Sequence, residues 1–321
     1  MSAHNHSGHG HSHGDSHGQH DTEIDWEDMA AHLERNGELQ LPALNRMATH
    51  LSGLLGADGS GQTVRRRILD IGSGPGVMTC VLAEAFPDAE VVAVDGAPGL
   101  LDHALARAER LGLGGRVTTR HAQLPEGLTS GGEHGESGGG EPGLGTADLI
   151  WSSKAVHHLG DQQATLTALA GLLRPGGILA VAEGGLPTRF LPRDIGIGRP
   201  GLQARLDVVQ EQWFETMRTE LPGSKPEIED WPAMLTRAGL TDAGSHTVLL
   251  DLPAPLDDTA RAFLFDQLAR VRDRMADPLD AEDRRTLDIL VDPEAPEGIL
   301  NRPDAFLLTA STVFTGVRPP R

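Results

Sequence analysis

The sequence predicts an α/β protein: a doubly wound parallel sheet with helices on both faces. Short apolar runs alternate with stretches of helical periodicity from residue 67 to residue 183, the pattern of parallel strands joined by crossover helices. The first apolar run ends in the turn Gly72-Ser73-Gly74-Pro75-Gly76, where glycines let the backbone turn sharply and approach a ligand beside a helix amino end. The 321 residues are 38% hydrophobic, which suits one elaborated domain with a sizeable core. Only 3% are aromatic and none is Tyr, so that core must be built from Leu, Val, Ile and Ala.

Residues 1–22 are a His-rich tail of small and polar types; it cannot bury enough apolar surface to offset its ordering entropy and reads as disordered. Residues 23–60 turn helical, with Trp26, Met29 and Leu33 in one run and Leu44, Met47 and Leu51 in the next. Pro42 suits the first turn of the second helix. Within 61–185, RILDIG (67–72), EVVAVDG (90–96), RVTTRHA (116–122), ADLIWSS (147–153) and GILAVAE (177–183) read as strands. Helices fall after Val77, from Leu100 to Leu111, and from Ala164 to Leu173. The segment 129–146 holds eight glycines in eighteen residues and is expected to be an exposed, mobile loop. From 186 to 302 the alternation breaks into a Pro/Gly/Arg-rich stretch, a helix carrying Leu206, Val209, Trp213 and Met217, a helix at 231–239, a strand at 245–252, and helices around 257–275 and 281–291. The last segment, 303–321, contains a final strand at 305–316.

Lys and Arg sum to 27 against 46 Asp and Glu, a net charge of −19. That field repels phosphate backbones and argues against a nucleic-acid partner. Cys80 is the only cysteine, so no intrachain disulfide or cysteine-rich zinc site exists, and it reads as buried filler. No run approaches the ~20 apolar residues of a membrane span, and no signal peptide is visible. A soluble, cytoplasmic protein without membrane partners is expected.

The junction Asp70-Ile71-Gly72-Ser73-Gly74-Pro75-Gly76 has the spacing G-x-G-x-G, not the G-x-G-x-x-G of the dinucleotide fingerprint. Asp95 ends the second strand, where a carboxylate can accept both ribose hydroxyls of an adenosine. These two features alone do not separate a nicotinamide cofactor from S-adenosylmethionine.

The segments ILDIGSGPG (68–76), VVAVDG (91–96), ADLIWSSKAVHHL (147–159) and LLRPGGILAVAE (172–183) together resemble the successive motifs of class I S-adenosylmethionine-dependent methyltransferases, nearest to small-molecule enzymes in which His-His-Leu follows the fourth strand. The resemblance covers roughly residues 60–185. It implies a Rossmann-like, seven-stranded sheet whose last strand is antiparallel, with 245–252 and 305–316 as the sixth and seventh strands. It also implies S-adenosyl-L-methionine as cofactor, with Gly72, Ser73, Gly74 and Gly76 forming the turn beside its methionine part and Asp70 orienting its ammonium. Asp95 would hold the ribose beside Gly96, and Ser152 completes the implied set. Where the family usually has an acidic residue followed by Ala near the adenine, this chain has His121-Ala122-Gln123. His121 or Gln123 could serve, or Ala122 through its backbone N–H.

His157 and His158 follow the fourth strand at the carboxyl edge of the sheet, where ligands bind in such folds. A histidine there suits proton abstraction near neutrality, with His158 the first choice and Glu183 orienting an imidazole. Arg189, Arg193 and Arg199 could clamp a substrate anion or pair with the chain's own carboxylates; Trp151 and Trp213 could wall a pocket or fill the core. The N-terminal helices and the 186–302 insertions would form a lid over the cofactor site, implying a small enclosed substrate. O-methylation is the expected reaction, with N- or C-methylation as the near alternative, and a metal-handling or regulatory protein retaining the fold as the rival from another class. The irregularly spaced His4, His6, His9, His11, His13, His17 and His20 are competent to bind Ni²⁺, Cu²⁺ or Zn²⁺, while no metal is expected in the core. Oligomeric state is left open, a homodimer being one option.

Overall fold

A computed structural model describes residues 29–56, 65–128 and 143–320. The histidine tail, Trp26 and most of the glycine-rich 129–146 segment lie outside the described residues. The described residues open with two helices, α1 (Ala30–Leu39) and α2 (Leu41–Leu55), broken at Gln40, whose N–H reaches back to the Asn36 and Gly37 carbonyls. Pro42 sits in the first turn of α2, where its missing N–H costs nothing.

Five parallel strands follow: β1 (Arg67–Ile71), β2 (Glu90–Asp95), β3 (Val117–His121), β4 (Ala147–Ser153) and β5 (Leu173–Arg189), with helices α3 (Val77–Ala85), α4 (Pro98–Arg110) and α5 (Gln162–Gly171) between them. After β5 come α6 (Leu202–Glu220), α7 (Trp231–Arg237), β6 (Thr241–Leu252), α8 (Asp258–Met275), α9 (Ala281–Leu290) and β7 (Leu307–Val317). The sheet has seven strands in the order β3-β2-β1-β4-β5-β7-β6. β7 runs antiparallel to both β5 and β6. The fold is Rossmann-like α/β with its last strand reversed.

Strand alternation sorts the core into two layers. Ile68, Leu149, Trp151, Ile178 and Ala180 pack with α2, α3, α8 and α9. Their neighbours Leu69, Ile71, Ile150, Leu179 and Val181 pack on the opposite face with α5 and α7. Cys80 is buried among the first set, and burial pushes its thiol up to about 11, as inert filler should be.

Two strands are longer than their apolar runs predict. β5 continues to Arg189 across a register shift between Ala182 and Gly185. Gly185 permits this: its φ is +118°, and a Cβ there would stand 2.1 Å from the Ala310 carbonyl oxygen. β6 begins at Thr241, its polar start paired to Val317 and Thr315 of β7. No described helix is long and apolar enough to cross a membrane.

Candidate active site

The carboxyl ends of β1, β2 and β4 open into a cavity of about 660 Å³. β1 delivers Asp70, and the chain then turns through Gly72, Ser73 and Gly74 before α3. Gly72 has φ +69° and Gly74 φ +52°; a Cβ on Gly72 would lie 2.5 Å from that of Ala155, whereas one on Gly74 would meet nothing. Gly72 thus lets the β4 turn approach closely, and Gly74 leaves its flank of the cavity open. Gly76 does not line the cavity; a Cβ there would strike Ala104 of α4 at 2.5 Å, so its part is helix packing.

Asp70 is buried, and its carboxylate accepts from Thr79 Oγ1 at 2.5 Å. Burial pushes its pKa up to about 7, against the Thr79 hydrogen bond and assisted by the negative charge of Asp95. Asp95 braces the loop: Oδ2 accepts from the Gly74 N–H at 2.8 Å and Oδ1 from the Ala97 N–H at 2.9 Å. Ser73 lines the cavity with a buried hydroxyl that has no hydrogen-bond partner among the described residues.

On the far side, β4 is followed by the strained residue Lys154, φ +51°, and then by a 3₁₀ turn, Val156–His158. Arg218 of α6 holds this turn by donating from Nη1 to the carbonyls of His157 and Leu159, each at 2.7 Å. Glu183, near the middle of β5 and 4% exposed, accepts from the Val156 N–H at 3.2 Å and from His157 Nδ1–H at 2.7 Å. That bond assigns the His157 tautomer and leaves Nε2 to accept from His158 Nε2–H across 3.1 Å. His158 lines the cavity, while His157 and Glu183 stand behind it. Burial, then the neighbouring His157 and Arg218, lowers the pKa of His158 to about 3, so its ring is neutral at physiological pH.

Several expected contacts fall elsewhere. The Ala122 N–H is spent on the Asp95 carbonyl at 3.0 Å, so it is not available to an adenine. His121 and Gln123 both donate to the Gly96 carbonyl, and of the three only Gln123 lines the cavity, beside Gly96. The strand pleat puts Trp151 and Ser153 on the cavity wall and turns Ser152 away, its hydroxyl buried without a partner among the described residues. Trp151 is also core. Arg189 pairs with Asp207, Arg199 with Asp280 and Asp283, and Arg193 is exposed. None of the three, nor Trp213, reaches the cavity. Arg189 ties the end of β5 to α6, and Arg199 ties the segment after β5 to the start of α9.

Several residues that line the cavity were not singled out for the site in the sequence. α1 and α2 close the cavity with Asn36, Gly37, Gln40 and Met47, α6 adds Met217, and Lys154 projects in from the β4 turn. α1 is anchored by Arg107 of α4, which donates to Glu34 at 2.9 Å and Glu38 at 3.1 Å. Among the described residues no group of three or more His, Cys, Asp or Glu side chains is placed to hold a metal.

A seven-stranded sheet with a reversed last strand thus carries an open glycine loop and two acidic residues, Asp70 and Asp95, at the carboxyl ends of β1 and β2. Residues 69–179 match the family model described as a methyltransferase domain. A trans-aconitate 2-methyltransferase of Methylobacterium radiotolerans is 31% identical over 245 residues, 69% of this chain and 83% of that protein. A ubiquinone biosynthesis O-methyltransferase of Dinoroseobacter shibae is 36% identical over 113 residues, 35% of this chain and 39% of that one. A solved S-adenosylmethionine-dependent methyltransferase from Thiobacillus denitrificans, in complex with S-adenosylhomocysteine, aligns at 20% identity with a TM-score of 0.40, covering 78% of this chain and 85% of that one. The chain belongs to the class I S-adenosylmethionine-dependent methyltransferases, and S-adenosylmethionine is its cofactor. The cavity fits that group: a buried carboxyl and an orphan hydroxyl, Asp70 and Ser73, face it beside an open Gly74.

Proposed function

We propose that this chain methylates an oxygen of a small-molecule acceptor, with His158 as general base and His157 and Glu183 as its relay. The observation that carries this reading is the chain Glu183–His157–His158, which ends in the same cavity as the glycine loop. Asp70, Ser73 and Gly74 would hold the methionine end of the cofactor, Asp95 the ribose, and Gln123 the adenine side. When bound, S-adenosylmethionine supplies an electrophilic methyl on its sulfonium.

A lone imidazole with a pKa near 3 is a weak base. The relay removes that obstacle. As the His158 ring takes the acceptor's hydroxyl proton, its Nε2 proton passes to His157 Nε2, and the resulting positive charge rests on His157 against the Glu183 carboxylate. Arg218 keeps the turn in register, and α1, α2 and α6 exclude water, so that alignment of the reacting atoms supplies most of the acceleration. The enclosure supports a small acceptor, and the −19 net charge speaks against a polynucleotide.

The relative named for trans-aconitate favours a second reading, in which a carboxylate oxygen accepts the methyl. A carboxylate needs no base, so the histidines separate the two. Turnover is followed as S-adenosylhomocysteine release with a panel of small hydroxylated acids, phenols and polycarboxylates. Under the first reading, His158→Gln and Glu183→Gln each lower kcat by about 10²- to 10⁴-fold while binding of S-adenosylhomocysteine stays within twofold. Full turnover in both variants would reject the base.

A further inference from the structure

We propose that Lys154 is the anion anchor of the acceptor subsite, and that the acceptor carries a carboxylate in addition to the oxygen that receives the methyl. The proposal rests on the methyltransferase reading above and assigns the acceptor a chemical class.

Four observations converge on Lys154. It is the only Lys or Arg among the described residues lining the cavity. The chain's other central cations are consumed: Arg107 by Glu34 and Glu38, Arg189 by Asp207, Arg199 and Arg205 by Asp283. Among the described residues the Lys154 ammonium makes no hydrogen bond and no ion pair. Glu183, which acts on it electrostatically, already spends its oxygens on the Val156 N–H and His157 Nδ1–H.

The backbone is the second observation. Lys154 adopts φ +51°, a left-handed conformation that a long side chain disfavours and that Gly or Asn would accept readily. Its N–H is fixed to the Ala182 carbonyl at 3.1 Å, so the conformation is held by the end of the β4–β5 ladder. Strain of this kind persists where the surroundings over-determine it, and it gathers at ligand clamps.

The third is environment. Lys154 is open to the cavity yet enclosed by protein at longer range, and desolvation draws its ammonium below the ordinary lysine value. A cation that opens onto the cavity with no partner of its own among the described residues is a ready counter-charge for an anion bound there. The fourth is position. Lys154 precedes His158 on one short turn, so a single element presents an anion holder and a proton acceptor to the same molecule. A carboxylate held by Lys154 would leave a second oxygen of the acceptor to His158. In a chain of net charge −19, a cavity cation also offsets the field that would otherwise repel an acid.

Binding to the full-length protein tests this by calorimetry. S-adenosylhomocysteine is titrated first into the wild type, Lys154→Gln and Lys154→Gly. Gly is the residue best suited to φ +51°, so a folding defect is not expected there, and circular dichroism checks both variants. Trans-aconitate, citrate and 4-hydroxybenzoate are then titrated into each protein saturated with S-adenosylhomocysteine, alongside their neutral methyl esters. The expected result is that at least one acid binds the wild type, that its Kd rises at least tenfold in both variants, and that the esters and S-adenosylhomocysteine are affected less than twofold. A comparable loss of S-adenosylhomocysteine affinity would mean that Lys154 holds the cofactor's own carboxylate, and would overturn the proposal. So would equal acid binding in variants and wild type, or no acid binding to a wild type that does bind S-adenosylhomocysteine. A wild type that fails to bind S-adenosylhomocysteine would instead bring down the proposed function.

Discussion

Under the proposed function Asp70, as the group that would hold the cofactor's ammonium, would couple cofactor binding to folding stability, and the coupling has a sign that can be measured. Its carboxyl is 2% exposed and its pKa stands at about 7, against an ordinary 3.8, chiefly because burial penalises the charge. A group whose folded pKa is raised binds protons more tightly when folded. Folding is therefore favoured below about pH 4, and the advantage drains away as pH climbs from about 4 to about 7. At 1.36 kcal/mol per pKa unit, the climb corresponds to roughly 4 kcal/mol of ionisation cost above pH 7, a ceiling that relaxation and water entry reduce. Asp70→Asn removes the charge and keeps an acceptor for Thr79 Oγ1. In urea unfolding at pH 8 the cofactor-free variant is expected to exceed the wild type by roughly 2–4 kcal/mol, and at pH 4.5 the excess should shrink to about 1 kcal/mol or less.

Cofactor binding should show the opposite face of the same group. A cationic ammonium beside Asp70 draws its pKa down, so S-adenosylhomocysteine binding near pH 6 should release close to one proton, and near pH 8 little. Calorimetry in buffers of different ionisation enthalpy counts that proton. Asp70→Asn should release none and bind at least tenfold more weakly. A variant that is less stable than the wild type at pH 8, with the pH dependence of unfolding unchanged, would refute this account of Asp70.

Asp95→Ala removes the acceptor of the Gly74 and Ala97 N–H groups; unfolding should show a loss of about 1–3 kcal/mol, and S-adenosylhomocysteine affinity should fall at least tenfold. Gly76→Ala forces a Cβ to within 2.5 Å of the Ala104 Cβ at φ +76°, which should cost about 1–3 kcal/mol of stability in the same assay without touching the cavity wall. Arg218→Met frees the His157 and Leu159 carbonyls and should lower kcat about tenfold, on the order of 1.4 kcal/mol. Cofactor affinity should be unchanged, with partial recovery in Arg218→Lys.

Most of the parallel half of the sheet was legible because β1, β2, β4 and the middle of β5 are buried apolar runs closed by a turn signal; β3 has only Val117 buried. The end of β5 was not. Gly184-Gly185-Leu186-Pro187 reads as a turn by composition, yet it pairs with β7 across a bulge that only the packed partner reveals. The glycine loop and its two aspartates carry a local pattern, and both acids line the cavity. Side chains set by a one-residue phase were harder: the pleat decides whether Ser152 or Ser153 faces the ligand. Of the two expectations for the arginines at 189–199, pairing with the chain's own carboxylates holds for Arg189 and Arg199, whose partners Asp207 and Asp283 lie 18 and 84 residues away in the chain, where no spacing rule reaches. Asn36 on α1 and Gln40 at its end look like an ordinary solvated face of an amphipathic helix; the solvent they face is the cavity.

Lys154 escaped for a different reason, and its placement orders the whole site. The carboxylates that line the cavity, Asp70 and Asp95, sit at the ends of β1 and β2, beside the glycine loop. Lys154 and His158 sit on the turn after β4, on the other side of β1 in the sheet. One flank is thus acidic and the other carries the cation and the imidazole, a separation spanning adjacent strands only ~5 Å apart. A cationic sulfonium with its ammonium is matched to the acidic flank, and an anionic acceptor to the basic one. Opposite charges on the two ligands would then draw them together across the gap, and each would ease the other's entry. If the acceptor is a carboxylate held by Lys154, the two ligands would be cooperative: the acceptor should tighten S-adenosylmethionine more than it tightens the uncharged-sulfur product S-adenosylhomocysteine. Lys154→Gln should abolish that difference while leaving S-adenosylmethionine affinity in the absence of acceptor within twofold. Equal cooperativity with both cofactor forms would show that the flanks act independently.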